Sequence, residues 1–278
     1  MKKLYAVFVY EFRETFHKSK ILLVMFFIVI LYESTLSTIQ SLCNTTGLTV
    51  GVFEPFILIC SKNINIILIP IIYILVISGF PYCKVNYFHI SRVGKKFWLC
   101  GELLFIIAFT FMLTFVLAVG TVLPIIENTT PLTNDWSIFM LDFKSRFPEL
   151  FMKNTIHCLD TSYTLHGTPI FEGLYCFSVT WFNLSIIGVL ILLGSVCGRQ
   201  ILFMVIAASG VFVGGCSTFF EGNLKWIFPI AHMQYGLHFN TIFSGNNFPV
   251  SGTFIYLGII LLAEIITCSI LLNKIKSF

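Results

Sequence analysis

Charge is scarce in this sequence, and the charge that exists is dispersed. Only 11% of the 278 residues are Asp, Glu, Lys or Arg, against 57% hydrophobic residues that include 31 phenylalanines. That is more apolar side chain than one soluble core of this length encloses, so lipid is the solvent for much of the chain. A net charge of +4, scattered along the sequence, does not make the concentrated basic face of a nucleic-acid binder. The nine cysteines include no C-x-x-C pair and no alternation with histidine at metal-ligand spacing. Most of them (Cys60, Cys100, Cys176, Cys197, Cys216, Cys268) fall in or beside apolar runs, where a thiol acts as a small hydrophobe. A G-x-x-x-x-G-K-[ST] phosphate loop is missing too: Gly94-Lys95-Lys96 has neither the upstream glycine nor the following hydroxyl. No small-x-small cleavage site follows the first apolar run, so the N-terminus reads as retained.

What is present is a series of apolar runs about 20 residues long, the length a helix needs to cross a hydrocarbon core of about 30 Å. Six spans are expected, near 21–42, 57–80, 98–122, 176–196, 200–220 and 252–272. The fold class is therefore an all-α integral membrane protein, a single transmembrane domain over 1–278. Basic residues are retained on the cytoplasmic side of short loops. With the N-terminus inside, twelve of the 17 Lys and Arg are cytoplasmic, in the segments 2–20, 84–96, 199 and 274–276. Lys62, Lys144, Arg146, Lys153 and Lys225 fall outside or near the outer edge. Both termini are thus expected in the cytoplasm, and the membrane is the cell (plasma) membrane.

Before the first span, Leu4, Phe8, Phe12 and Phe16 recur every four residues, with Tyr5 and Val9 beside them. Lys3, Glu11, Glu14, His17 and Lys18 take the other side at 100° per residue, which predicts a helix lying in the cytoplasmic interface. Residues 123–175 form a long outer loop in which WSIFMLDFKSRFPELFMK fits an amphipathic helix. The outer segment 221–250 is apolar but interrupted by Pro229, Gly236 and two histidines. Short re-entrant helices between spans five and six suit it better than one span, with their backbone shielded by other spans.

Two carboxylates fall near mid-membrane. At 1.5 Å per residue, Glu33 lies about 18 Å and Glu264 about 12 Å from the cytoplasmic ends of their spans. Such groups are costly unless they face protein or water, so Glu33 and Glu264 are candidates for a substrate path at a subunit interface. The plainer account starts a polar outer turn at Glu33 and lets Lys62, nearer the outer edge, snorkel outward.

The amphipathic opening YEFRETFHKSK, the span directly after it, the cytoplasmic SRVGKKFWLCGELL and the broken LKWIFPIAHM together resemble a permease subunit of the type-2 ATP-binding-cassette exporter family. The resemblance covers nearly the whole chain, with two departures. Glu102 stands where family members often carry a basic residue, and the loop before span four is long. It implies a transmembrane subunit that does no chemistry itself. A second permease subunit, in a homo- or heterodimer, and a separate ATP-binding-cassette ATPase subunit would complete the exporter, with ATP and Mg bound by that partner. No cofactor or metal is expected on this chain. The first cytoplasmic loop would form a coupling helix within Tyr87, Phe88, His89, Ser91, Arg92 and Gly94. Membrane lipid is a partner, and nucleic acid is not. The residues leave open a non-transporting membrane sensor or immunity protein on the same scaffold, and a secondary transporter. A membrane serine protease built on AASG (207–210) with His232 or His238 lacks the motif's leading glycine.

Overall fold

A chain crossing lipid must satisfy its peptide groups within each segment, and the long apolar runs accordingly form helices. The computed structural model describes residues 2–15, 18–78, 90, 92–130, 133–153, 159, 161–219, 222–239 and 247–274. Among the described residues, five helical stretches are long and apolar enough to cross a bilayer: Ser19–Thr46, Lys95–Asn128, Pro169–Val196, Gln200–Ser217 and Val250–Lys274. Only two strands, of two residues each, occur among the described residues, and the chain is an all-α multi-pass membrane protein.

In order, the elements are α1 (Lys2–Thr15), α2 (Lys18–Leu31), a π-helical turn (Tyr32–Leu36) and α3 (Ser37–Thr46). Next come β1 (Val50–Gly51), α4 (Glu54–Ser61), α5 (Asn63–Ile77), α6 (Lys95–Val122), a 3-10 segment (Leu123–Asn128) and β2 (Thr129–Thr130). Then follow α7 (Ile138–Arg146), α8 (Pro148–Lys153), α9 (Thr161–His166), α10 (Pro169–Val196) and α11 (Gln200–Ser217). Three 3-10 turns (Asn223–Ile227, Pro229–Met233, Tyr235–His238) lead to α12 (Val250–Lys274). Helix α10 is the axis of the bundle, packing on α4, α5, α6, α11 and α12. Its apolar window is 67% buried, against 17% for α12, which shows most of its surface to lipid.

The run expected to cross as one helix over 57–80 is instead α4 and α5, bent by 92°. The break falls at Lys62, whose ψ of 126° is extended, and not at Pro70, which sits inside α5. Lys62 Nζ donates to the Ser34 carbonyl at 3.2 Å, and Asn65 Nδ2 donates to Thr35 Oγ1 at 3.2 Å. Lys62 therefore turns into the π-helical turn and meets a backbone acceptor there. The polar interruptions of the first two apolar runs answer one another.

At the end of the bundle farthest from α1, here the distal end, α3 leans on the segment after α6. Gln40 Nε2 donates to Pro124 O at 3.0 Å, and Asn128 Nδ2 to Asn44 Oδ1 at 2.7 Å. Strands β1 and β2 pair in parallel, Val50 with Thr129 and Gly51 with Thr130. The stretch expected as one amphipathic helix is two, α7 and α8, parted at Phe147 (φ −131°, ψ 59°). Pro148 is the reason, since a proline disfavours helical geometry in the residue before it. The segment expected to hold re-entrant helices carries 3-10 turns, with Ile230, Ala231, His232, Met233, Tyr235 and His238 buried. Of the six cysteines singled out, Cys60, Cys176 and Cys268 are buried, whereas Cys100 and Cys197 are exposed.

Candidate functional site

The first loop of interest ends on α6. Of its expected coupling residues, Tyr87, Phe88, His89 and Ser91 lie outside the described residues, while Arg92 and Gly94 lie within them. Gly94 adopts φ +94° and ψ 140°, a conformation essentially confined to glycine. It accepts from Trp98 N at 3.0 Å and donates its own N–H to Ile90 O at 2.8 Å. This joint sets the direction of the chain entering α6, whose first residues are Lys95 and Lys96.

The same end of α6 receives α1. Gly101 makes the approach close: a Cβ placed there would lie 2.8 Å from Val7 Cβ. The Phe8 and Phe105 rings stand 6.4 Å apart in an edge-on arrangement. Buried on α1 are Val7, Glu11 and Thr15, spaced every four residues, while Tyr5 is exposed. The helix is therefore turned from the orientation its periodicity predicts. Glu11, expected on the water side, is buried on the helix that packs against α6, where Glu102 is also buried.

At the distal end, a polar knot ties the 3-10 turns to α10 and α12. His232 Nδ1 lies 3.0 Å from Thr253 Oγ1, and its Nε2 lies 3.1 Å from Trp226 O. The carbonyl accepts, so Nε2 carries the hydrogen and Nδ1 accepts from the threonine. His238 Nδ1 donates to Phe248 O at 2.9 Å, and its Nε2 meets the Tyr175 hydroxyl at 2.7 Å. The Tyr175 oxygen also lies 2.8 Å from His232 O, so its single hydrogen is shared between that carbonyl and His238 Nε2. Both histidines are committed to this knot, and Ser209, considered with them as a protease set, lies exposed on α11.

Burial pushes His232 down to about 4, with its bond to Trp226 O opposing the shift and the neighbouring His238 adding to it. The unfolded ring titrates near 6.5. Between pH 6.5 and 4 the unfolded state therefore binds the extra proton, and stability falls as pH falls, by on the order of 3 kcal/mol for this group. Thermal midpoints at pH 7.5 and pH 4.5 check this. His232→Gln should lower the midpoint at pH 7.5 and lose less than the parent on acidification. An equal acid loss in both proteins would remove His232 as its source.

The two path carboxylates stand apart. Glu33 is exposed on the π-helical turn, which packs on α2, α3 and α4. Glu264 is half-buried on α12, which packs on α10 and α6, and its Oε2 is buried without a hydrogen-bond partner among the described residues. No hydrogen bond links them. An apolar groove of about 590 Å³ runs between α2 and α6, lined by Val24, Met25, Phe109 and Met112 with Lys20 at one end. A second, of about 580 Å³, lies between α10 and α11 beneath Phe228 and Pro229, with Asn183 in its wall. Neither is lined by Glu33 or Glu264.

Two further carboxylates, Glu54 and Glu172, are fully buried and were not expected from the sequence. Glu54 accepts from Gly51 N (2.7 Å), Ser137 N (2.7 Å) and Ser137 Oγ (2.6 Å). Glu172 has no hydrogen-bond partner for either oxygen among the described residues. The signal for Glu172 was Thr168-Pro169: proline at a first helical position starts α10 seven residues before the expected 176 and brings Glu172 into the span. No group of three or more His, Cys, Asp or Glu suited to a metal occurs among the described residues. Against known families, characterised proteins and solved structures, the chain has no match.

Proposed function

We propose that this chain is the transmembrane permease subunit of an ATP-driven exporter, with a separate ATPase subunit docking on the connection between α5 and α6. The bent pair counts as one span, which makes six, and both termini and residues 79–94 face the cytoplasm of a cell membrane. The distal layer and the 3-10 turns lie outside. ATP and Mg belong to the partner, in keeping with the lack of a phosphate loop in this sequence. The chain pairs with a second copy or a related permease.

The observation that carries this reading is the joint at Gly94. It fixes the direction of the basic connection on the same turns of α6 that hold α1, so a push on the connection moves a span and the helix packed on it together. Pairing is supported by Glu33. It is exposed about 21 Å along the helical path from Ser19. A carboxylate facing lipid near the membrane centre costs about 2.5–3.5 kcal/mol, so a second subunit or an aqueous path covers it. Glu33 and Glu264 are the carboxylates assigned to that path.

Copurified ATPase per permease tests the docking. Gly94→Ala should strain the joint by about 1–3 kcal/mol. Phe88→Ala should empty an interface pocket, and Arg92→Lys should lose a planar fork. All three are expected to insert normally yet recover several-fold less ATPase and show weaker substrate-stimulated hydrolysis than Lys96→Ala, the charge control. Equal recovery across the four would leave the basic cluster as an orientation signal and sink the proposal.

A further inference from the structure

Helices α10 and α11 meet closely at two heights and stand apart between them. A Cβ at Gly194 would collide with Phe203, and one at Gly214 with Ile230 and Phe228, whereas one at Gly210 would meet no atom within 4 Å. The two tight contacts hold open the groove of about 580 Å³ that Phe228 and Pro229 roof. Asn183 is the only polar side chain in its wall and is 2% exposed. Its Nδ2 donates to Val179 O at 3.0 Å. A carbonyl can only accept, so the amide is fixed with Oδ1 turned away from that bond. Oδ1 takes no hydrogen bond among the described residues, and the groove is the space it opens on. At 1.5 Å per residue, Asn183 lies about 20 Å from either end of α10 (Pro169–Val196), so this acceptor sits at mid-span. Lipid chains bring no donor to that height. A buried water needs two to four polar partners, and this wall supplies one polar side chain.

We propose that the groove binds a lipophilic alcohol, its chain between α10 and α11 and its O–H donated to Asn183 Oδ1. This does not rest on the transport reading. Apolar contact with the wall gives such a molecule little preference over the bilayer, since hydrocarbon surrounds it in both places. The hydroxyl supplies the preference: it finds no acceptor among acyl chains and finds one here. Gly210 supplies the room, because a side chain at that position would occupy the groove.

Photolabelling of the full-length protein in lipid nanodiscs tests the site, with a diazirine-bearing decanol and its methyl ether as probes. The two share a chain, and only the alcohol donates a hydrogen bond. In the parent, the alcohol should label the groove segments 186–190 and 206–211 roughly three- to tenfold more than the ether does. Asn183→Leu should bring the alcohol down to the level of the ether. Gly210→Leu should remove labelling of those segments by both probes, while labelling of α12, which faces lipid, stays as in the parent. Equal labelling by alcohol and ether in the parent would overturn the proposal and mark a groove filled by acyl chain alone. An alcohol preference that survives Asn183→Leu, or groove labelling unchanged in Gly210→Leu, would overturn it as well. The comparison of probes in the parent needs no variant, so it decides the matter even where a variant does not fold.

Discussion

Glu54→Ala is expected to open the distal layer while leaving the long helices in place. The carboxylate is fully buried and accepts three hydrogen bonds, so it ties β1, the start of α4 and the start of α7 at one point. Ser137 also caps α7 by accepting from Met140 N at 3.3 Å, so a displaced Ser137 weakens the helix that carries Phe139 and Phe143. Hydrogen bonds to charged groups contribute about 1.5–3 kcal/mol each, and donors left buried without acceptors cost more than the average bond gains. Glu54→Gln keeps one acceptor oxygen but turns an amide N–H₂ toward a donor, and should lose less. Limited proteolysis and exchange across residues 133–153 provide the readout, with residues 176–196 as reference. Protection of 133–153 unchanged within twofold in Glu54→Ala would show that the tie lies elsewhere.

The helices that face lipid were the legible ones. Helix α12 runs Val250–Lys274 where 252–272 was expected, because a helix surrounded by hydrocarbon needs little beyond a long apolar run. The bend between α4 and α5 was marked by Lys62 but read as a snorkelling side chain, since its acceptor, the Ser34 carbonyl, is 28 residues away. Pro70 was the louder local signal and did not break the helix. Periodicity placed Glu11 in water for a similar reason: the surface that buries it lies on another helix, α6, and a 100° wheel knows only one helix at a time. One amphipathic helix was expected over WSIFMLDFKSRFPELFMK, and the end of α7 at Phe147 was visible in Pro148 and passed over.

The candidate site divides along the same line. Charge and small residues flagged the segment 87–94, and Gly94 proved to need its glycine. Glu33 and Glu264 stood out because they interrupt apolar runs, which is a local property. Glu54 and Glu172 sit where the apolar runs begin, and nothing local separates a carboxylate that will be buried from one left in a loop. What distinguishes them is the protein folded over them, from Gly51 and Ser137 in one case and Gly167 in the other.

Glu172→Met is expected to raise stability, the opposite sign to Glu54→Ala. Both parent residues are fully buried glutamates, so burial alone does not decide the outcome. Hydrogen-bond accounting does. Neither Glu172 oxygen has a partner among the described residues, and the nearby Tyr235 hydroxyl is committed to His166 O at 3.2 Å. Gly167 presses close enough that a Cβ there would sit 2.3 Å from Oε1. Methionine keeps the length and lack of branching that this space requires and brings no group that needs a partner. Removing a buried polar group that lacks a hydrogen-bond partner relieves a desolvation cost of about 1–3 kcal/mol. Thermal unfolding in detergent should therefore show a higher midpoint for Glu172→Met than for the parent. A drop of 2 kcal/mol or more would mean that the carboxyl has a partner and that this accounting is wrong. A rise in stability accompanied by lost transport would place Glu172 among residues kept for activity at a cost to the fold, the pattern expected where a local rule is broken at a functional position.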